Sequence, residues 1–246
     1  MLEFAIQTEN LSRKFGDFIA VDNITFNVKQ GEIFGFLGAN GAGKTTAMKM
    51  LTGLLSPTSG KASVSGFDVY TDAENIKQNI GYMSQKFSLY DDLTVQENIR
   101  FYGGIYGIDD LDLTPKINEV MESVGIQELR KKLVKSLPLG WKQKLAFAIS
   151  TIHNPKIIFL DEPTGGVDPV TRRQFWEQIY EVSSRGITVF VTTHYMDEAE
   201  YCDRISIMVD GRIDALDSPQ NLKKNYSAAS IKEVFIQLAR SAERGD

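Results

Sequence analysis

The sequence predicts a mixed α/β protein: a mostly parallel sheet at the core, a smaller antiparallel β layer, and a helical insert between two strands of the sheet. Three observations carry this. Short apolar runs alternate with longer helical patterns along the chain. Runs such as Ile157–Leu160 and Ile187–Val191 are near-continuously apolar, as strands covered on both faces are. Residues about 94–153 carry helical signals only.

In chain order, strands are expected at Phe4–Thr8, Phe18–Val21, Ile24–Val28, Glu32–Leu37, Ala62–Ser65, Ile80–Ser84, Ile157–Leu160, Thr188–Thr192, Ile205–Val209 and Ile213–Leu216. The first five alternate more and are bounded by Gly and Asn, which assigns them to the antiparallel piece. A helix is expected from Thr45 to about Leu54. In the helical insert (about 87–153 as a subdomain), Asp91-Asp92 makes a turn. Thr94 with Glu97 three residues on is a capping box, and Thr114-Pro115 opens a further helix. From about Pro219 to residue 246 two amphipathic helical patterns follow. There is no repeat, low-complexity stretch or linker, so residues 1–246 read as one domain.

Composition narrows the class. Lys and Arg (27) against Asp and Glu (32) leave a net charge of −5, which speaks against a general nucleic-acid binder. No run approaches the roughly 18 apolar residues of a membrane span. The first residues lack the basic segment and apolar core of a signal peptide. One cysteine, Cys202, excludes an internal disulfide and fits a reducing compartment. Two histidines and one cysteine are too few for a zinc site built on those ligands. The expectation is a cytosolic globular chain that cannot by itself pass anything through a membrane.

Gly38-Ala39-Asn40-Gly41-Ala42-Gly43-Lys44-Thr45 fits the phosphate-binding pattern G-x-x-x-x-G-K-[ST] in full. It follows a predicted strand and opens a predicted helix, which marks a P-loop NTPase core. The glycines let backbone N–H groups turn around the β-phosphate, and the helix N-terminus adds its positive end. Lys44 would reach the β- and γ-phosphate oxygens, and the Thr45 hydroxyl would ligate Mg²⁺. Gly38, Asn40, Gly41, Ala42, Gly43, Lys44, Thr45 and Thr46 are therefore the candidate ATP-binding residues. The strand Ile157–Leu160 ends in Asp161-Glu162, at the strand end where parallel sheets bind ligands. Asp161 would hold Mg²⁺ through water, and Glu162 would orient or deprotonate the attacking water.

With these motifs the chain resembles the nucleotide-binding subunits of ABC transporters over essentially its full length. The resemblance implies further roles. Phe15 would stack on adenine, or else be a buried core residue. Gln85 would sense Mg²⁺ and water and link the site to the helical insert. Gly166-Val167-Asp168 would form the D-loop at a dimer interface, and His194 would contact the γ-phosphate. His153, before Asn154-Pro155, is read as structural. The runs MSQKFSLYDDLTVQENIRFYGGIYG and THYMDEAEYCDRISIMVDGRI, with IKEVFIQLAR near the end, resemble the branch serving ABC-2-type exporters, which includes drug and polysaccharide efflux.

The family signature, Leu-Ser-Gly-Gly-Gln or a close variant, is replaced here by Leu137-Pro138-Leu139-Gly140-Trp141. In the family the Ser hydroxyl and nearby N–H groups bind the γ-phosphate held by the opposite subunit. Pro138 has neither a hydroxyl nor an N–H, and Leu139 adds a side chain where glycine allowed close approach. Gly140 remains, so by the resemblance this helix start would still offer donors and its dipole in trans. The sequence thus points to an ATPase motor: Glu162, His194 and Gln85 catalytic; Thr45, Gln85 and Asp161 around Mg²⁺; a second nucleotide-binding domain as partner. Two ABC-2-type transmembrane subunits would hold it, peripheral, on the inner face of the cell membrane, with no nucleic acid. Phe87, Leu89 and Tyr90 are a candidate docking cluster, or pack within the insert. Two other readings stay open: a regulatory partner with weak turnover in a heterodimer, and a soluble ATPase acting on nucleic acid or the ribosome.

Overall fold

A computed structural model describes residues 3–242. Two sheets form its centre. The first is antiparallel, in the order β2-β1-β4-β5: β1 Phe4–Phe15, β2 Phe18–Lys29, β4 Ser59–Val64 and β5 Phe67–Asp68. The second has six strands in the order β10-β9-β3-β8-β7-β6. These are β3 Ile33–Gly38, β6 Ile80–Met83, β7 Ile157–Asp161, β8 Thr188–Thr193, β9 Arg204–Val209 and β10 Arg212–Asp217. All its pairings are parallel except β9 with β10.

The two sheets share one core. Phe26 of β2 stacks on Phe34 of β3 with centroids 5.5 Å apart, and Phe36, Phe159 and Phe190 close the cluster. Helix α1 (Lys44–Leu51) adds Ala47, Met48, Met50 and Leu51 to the same buried set. Burial of this apolar surface, at about 25 cal/mol per Å², fixes the P-loop between the sheets.

Several sequence expectations need correction. The fourth predicted strand, Glu32–Leu37, is β3 and belongs to the parallel sheet, because all six of its residues are buried between β8 and β9. The segments Phe18–Val21 and Ile24–Val28 are one strand. Asn23 between them, like Asn10 opposite, has positive φ where the register with β1 shifts. Their N–H groups are taken by side chains, Asn10 to Thr25 Oγ1 at 2.8 Å and Asn23 to Ser12 Oγ at 2.8 Å. A bulge with side-chain partners therefore reads locally like a turn. Strand β5, two residues long, was not expected.

The insert between β6 and β7 contains α3 (Val95–Ile105), α4 (Asp110–Ser123) and α5 (Leu139–Thr151), with two short 3₁₀ turns between α4 and α5. It has its own core, in which Val95, Ile99, Ile117, Met121, Leu145 and Ile149 meet. The Thr94–Glu97 capping box is present. Helix α4, however, starts at Asp110, so Pro115 lies inside it and does not open it. Acidic residues Asp110 and Asp112 in the first turn favour the earlier start.

On the opposite face of the parallel sheet, α6 (Pro169–Ser184) packs Phe175 and Trp176 into a second core. The tail forms α7 (Pro219–Asn225) and α8 (Ile231–Ala242) as expected. Residues 1–2 and 243–246 of the predicted domain lie outside the described residues. Among the described residues no helix is long and apolar enough to cross a membrane.

Candidate functional site

The C-terminal ends of β3, β7 and β8 and the segment after β6 meet at one edge of the parallel sheet. The register places Leu37 beside Thr193 and Asp161 beside Thr192. The glycine-rich loop leaves β3 there. Gly43 has φ +101, and a Cβ on it would run into the Ala20 carbonyl oxygen. Only glycine fits both constraints. Lys44 is 5% exposed and its Nζ donates to Gly38 O at 2.9 Å and Ala39 O at 3.0 Å, spanning the loop.

Asp161 and Glu162 follow the apolar strand β7. Asp161 Oδ1 accepts from the Thr192 hydroxyl at 2.7 Å and lies 3.5 Å from the Thr45 hydroxyl. Burial pushes the Asp161 pKa up, and the Thr192 and Thr45 hydroxyls oppose that rise. Glu162 has φ +47, uncommon for a residue with a side chain. Its N–H is shared by Thr192 O at 3.1 Å and Thr192 Oγ1 at 3.0 Å, which holds the chain in this conformation.

Three groups surround the Glu162 carboxylate. Gln85 Nε2 donates to Oε2 at 3.0 Å, Lys44 Nζ lies 3.5 Å from Oε1, and His194 Nδ1 lies 3.1 Å from Oε2 in contact without hydrogen-bond geometry. Burial pushes the Lys44 pKa down, and the Glu162 charge opposes it. A cleft of about 300 Å³ is lined by Asn40, Gly41, Gly43, Lys44, Thr45, Thr46, Gln85 and Glu162, together with Phe18 and Ala20. The structure therefore brings Lys44, Thr45, Gln85, Asp161, Glu162 and His194 together from four chain segments.

The oxygens of Thr45 and Asp161 are hard donors on one side of the cleft and fit Mg²⁺. Gln85 turns its amide nitrogen to Glu162. Among the described residues no cluster of three or more His, Cys, Asp or Glu side chains suits a metal on its own.

Four placements refine the sequence reading. Phe15 is 46% exposed, so it is no core residue, and the Arg13 guanidinium sits 4.6 Å over its ring. Phe15 pairs with Phe18 across the hairpin, and it is Phe18 that lines the cleft. Phe18 and Thr192 were missed. An aromatic on each side of Gly16-Asp17 was the available signal for the first, and there was no local signal for the second. Gly140 lies in the first turn of α5 against Thr171, outside the cleft lining. The docking cluster divides: Phe87 and Leu89 are partly buried against neighbouring cores, while exposed Tyr90 packs edge-on against Phe101 at 4.7 Å. His153 is structural, as expected: its Nε2 is 3.0 Å from Ile80 O and its ring stacks on Tyr106 at 3.8 Å.

Comparison with known proteins identifies the family. The family model described as "ABC transporter" matches residues 21–165. The chain is 48% identical over 241 residues to the probable multidrug ABC transporter ATP-binding protein YbhF of Escherichia coli, covering 96% of this chain and 42% of that protein. It is 34% identical to the linearmycin resistance ATP-binding protein LnrL of Bacillus subtilis, covering 96% of this chain and 79% of that one. It thus spans under half of the first relative's length. Among solved structures, a dimeric bacterial ABC transporter cassette, MJ0796, superposes with a TM-score of 0.78 at 25% identity, covering 87% of this chain and 98% of that one. The P-loop core, the helical insert and these matches together show that the chain belongs to the ABC transporter family, as an ATP-binding cassette.

Proposed function

We propose that this chain is the Mg²⁺-dependent, ATP-hydrolysing motor of an exporter, acting as one of two cassettes on separate ABC-2-type transmembrane subunits at the inner face of the membrane. The observation that carries the reading is the convergence of Lys44, Gln85 and His194 on the Glu162 carboxylate. In this arrangement Lys44 and the loop N–H groups hold the phosphates. Thr45 and Asp161 would hold Mg²⁺, which when bound would supply positive charge to the phosphate oxygens. Glu162 accepts the proton of the attacking water, Gln85 fixes its carboxylate by hydrogen bond, and His194, in contact beside it, faces the γ-phosphate. Adenine stacks at the hairpin tip where Phe15 and Phe18 stand. Catalysis rests on positioning and electrostatics.

Export, rather than import, is supported by the multidrug and linearmycin-resistance names of the relatives. The dimeric neighbour supports pairing of two cassettes, with Gly140 and the start of α5 turned to the other copy's ATP. Tyr90 and Phe101 offer an exposed aromatic contact for the membrane subunits.

A second reading rests on Pro138. It caps α5 without a side-chain hydrogen bond, so the chain would serve as a slow partner to a cassette with the full signature. Mg-ATPase rate measured against concentration of the chain alone separates the two. The motor reading expects activity that rises faster than first order. Activity that needs a second kind of cassette at every concentration supports the partner reading.

A further inference from the structure

Behind the cleft lies a buried carboxylate that the chemistry above does not use. Glu198 follows His194 by four residues and is 0% exposed. One of its oxygens accepts from the Thr164 hydroxyl, and the other accepts from the Thr193 hydroxyl at 2.7 Å. The Thr193 hydroxyl in turn accepts from the Tyr195 N–H at 3.0 Å, so one side chain grips the backbone on both sides of His194. Thr164 stands two residues after Glu162, on the way to Gly166-Val167-Asp168.

Arg172 of α6 completes the set. Its Nε lies 3.5 Å from Glu198, a guanidinium nitrogen reaches Asp197 at 3.4 Å, and the guanidinium covers the Tyr195 ring at 4.1 Å. The Tyr195 and His194 rings are 4.2 Å apart. Burying a carboxylate is unfavourable unless it is paired and hydrogen-bonded. Here one positive charge and two hydroxyl donors from three elements meet on it. Burial raises the Glu198 pKa, and the two hydroxyls and Arg172 oppose the rise. Both carboxylate oxygens are hydrogen-bonded, and Arg172 Nε stands at ion-pair distance without a hydrogen bond of its own; a buried network anchored on both sides in this way rigidifies what it joins.

We infer that Glu198 is a positioning residue: it couples the loop carrying His194 to the loop running from Glu162 to Asp168, so that both sides of the cleft keep one geometry. This rests on the reading of Glu162 and His194 as the reacting pair. Without the link the P-loop still binds nucleotide, but His194 no longer stays against Glu162.

The test uses Glu198→Ala, Glu198→Gln and Thr164→Val in the full chain. Thr164→Val is near-isosteric and cuts only one end of the link, which covers the case in which Glu198→Ala does not fold. Expected are a kcat lowered about tenfold or more by the misplaced pair, ATP affinity within about threefold of wild type, and partial recovery in Glu198→Gln. On a His194→Ala background the Glu198 changes should add little further loss. Amide hydrogen exchange should rise in both 162–168 and 193–201, and stay unchanged in 38–51. Full additivity with His194→Ala, or faster exchange in 193–201 alone, overturns the coupling. Undiminished turnover in His194→Ala instead removes the reading on which the inference rests.

Discussion

The side-chain amide of Gln85 donates to Glu162 Oε2 across 3.0 Å, joining the segment after β6 to the end of β7. Gln85 begins the stretch that enters the helical insert, so under the proposed function a shift of the insert would reach the carboxylate through this bond. Gln85→Ala should lower kcat by about tenfold to a hundredfold, the range for losing a hydrogen bond of 1.5–3 kcal/mol to a charged group. ATP affinity should barely move, since Lys44 and the loop are untouched. Equilibrium binding of a fluorescent ATP analogue beside steady-state turnover checks this, and a lost affinity with unchanged kcat would count against it.

Gly43 and Gly41 separate two kinds of glycine. Both have positive φ, but only at Gly43 would a Cβ meet a backbone oxygen, that of Ala20; at Gly41 nothing stands within 4 Å. Gly41→Ala should cost about 1 kcal/mol from the conformation alone. Gly43→Ala should cost about 2 kcal/mol or more and abolish nucleotide binding, because the clash moves the loop against β2. Urea unfolding of both variants gives the comparison; equal losses would contradict it.

Helix α5 begins at Leu139 with Pro138 at its cap, and the N–H groups of Trp141 and Lys142 both return to Pro138 O, at 3.0 and 3.1 Å. Pro138→Ser supplies a hydroxyl at the helix start. The added cap, about 1 kcal/mol, is offset in the free chain by the lost rigidity of proline, about 0.4–1 kcal/mol. Overall stability should therefore change little, while ATP-dependent dimerisation, followed by sedimentation, should tighten. An unchanged dimerisation constant would sink the claim that the lost donor weakens closure.

His153 sets an acid-side stability limit. Burial lowers its pKa from 6.5 to about 4, with the hydrogen bond to Ile80 O opposing. Between these values the unfolded chain binds the extra proton. The neutral ring's contribution is thus complete above pH 6.5 and is lost as pH falls toward 4. The full effect is roughly 3 kcal/mol. Denaturant melts across this window should show a slope in the wild type that is reduced in His153→Gln. Parallel pH profiles would contradict the assignment.

What could be read from sequence was local. The P-loop, the strand Ile157–Leu160 ending in two carboxylates, and the Thr94–Glu97 capping box are each contained in a few consecutive residues. Thr192 could not be found that way: its hydroxyl matters only because the β7–β8 register sets it beside Asp161. Glu198 looks from its sequence like one more surface acid, and three distant partners make it a buried one. Asn23 broke one strand into two because its bulge is satisfied by Ser12 from β1. The Thr114-Pro115 pair suggested a helix start that Asp110 and Asp112 had already provided one turn earlier.

In the proposed reaction Glu162 takes the proton from water. Glu162→Gln keeps the shape of the side chain, which accepts from Gln85 as before, but removes the base. Steady-state Mg-ATPase with measurement of retained nucleotide tests it most directly. Turnover should fall by about 10²–10⁴-fold, the usual contribution of a general base, with ATP retained unhydrolysed in a stable dimer. Hydrolysis at the wild-type rate would contradict it.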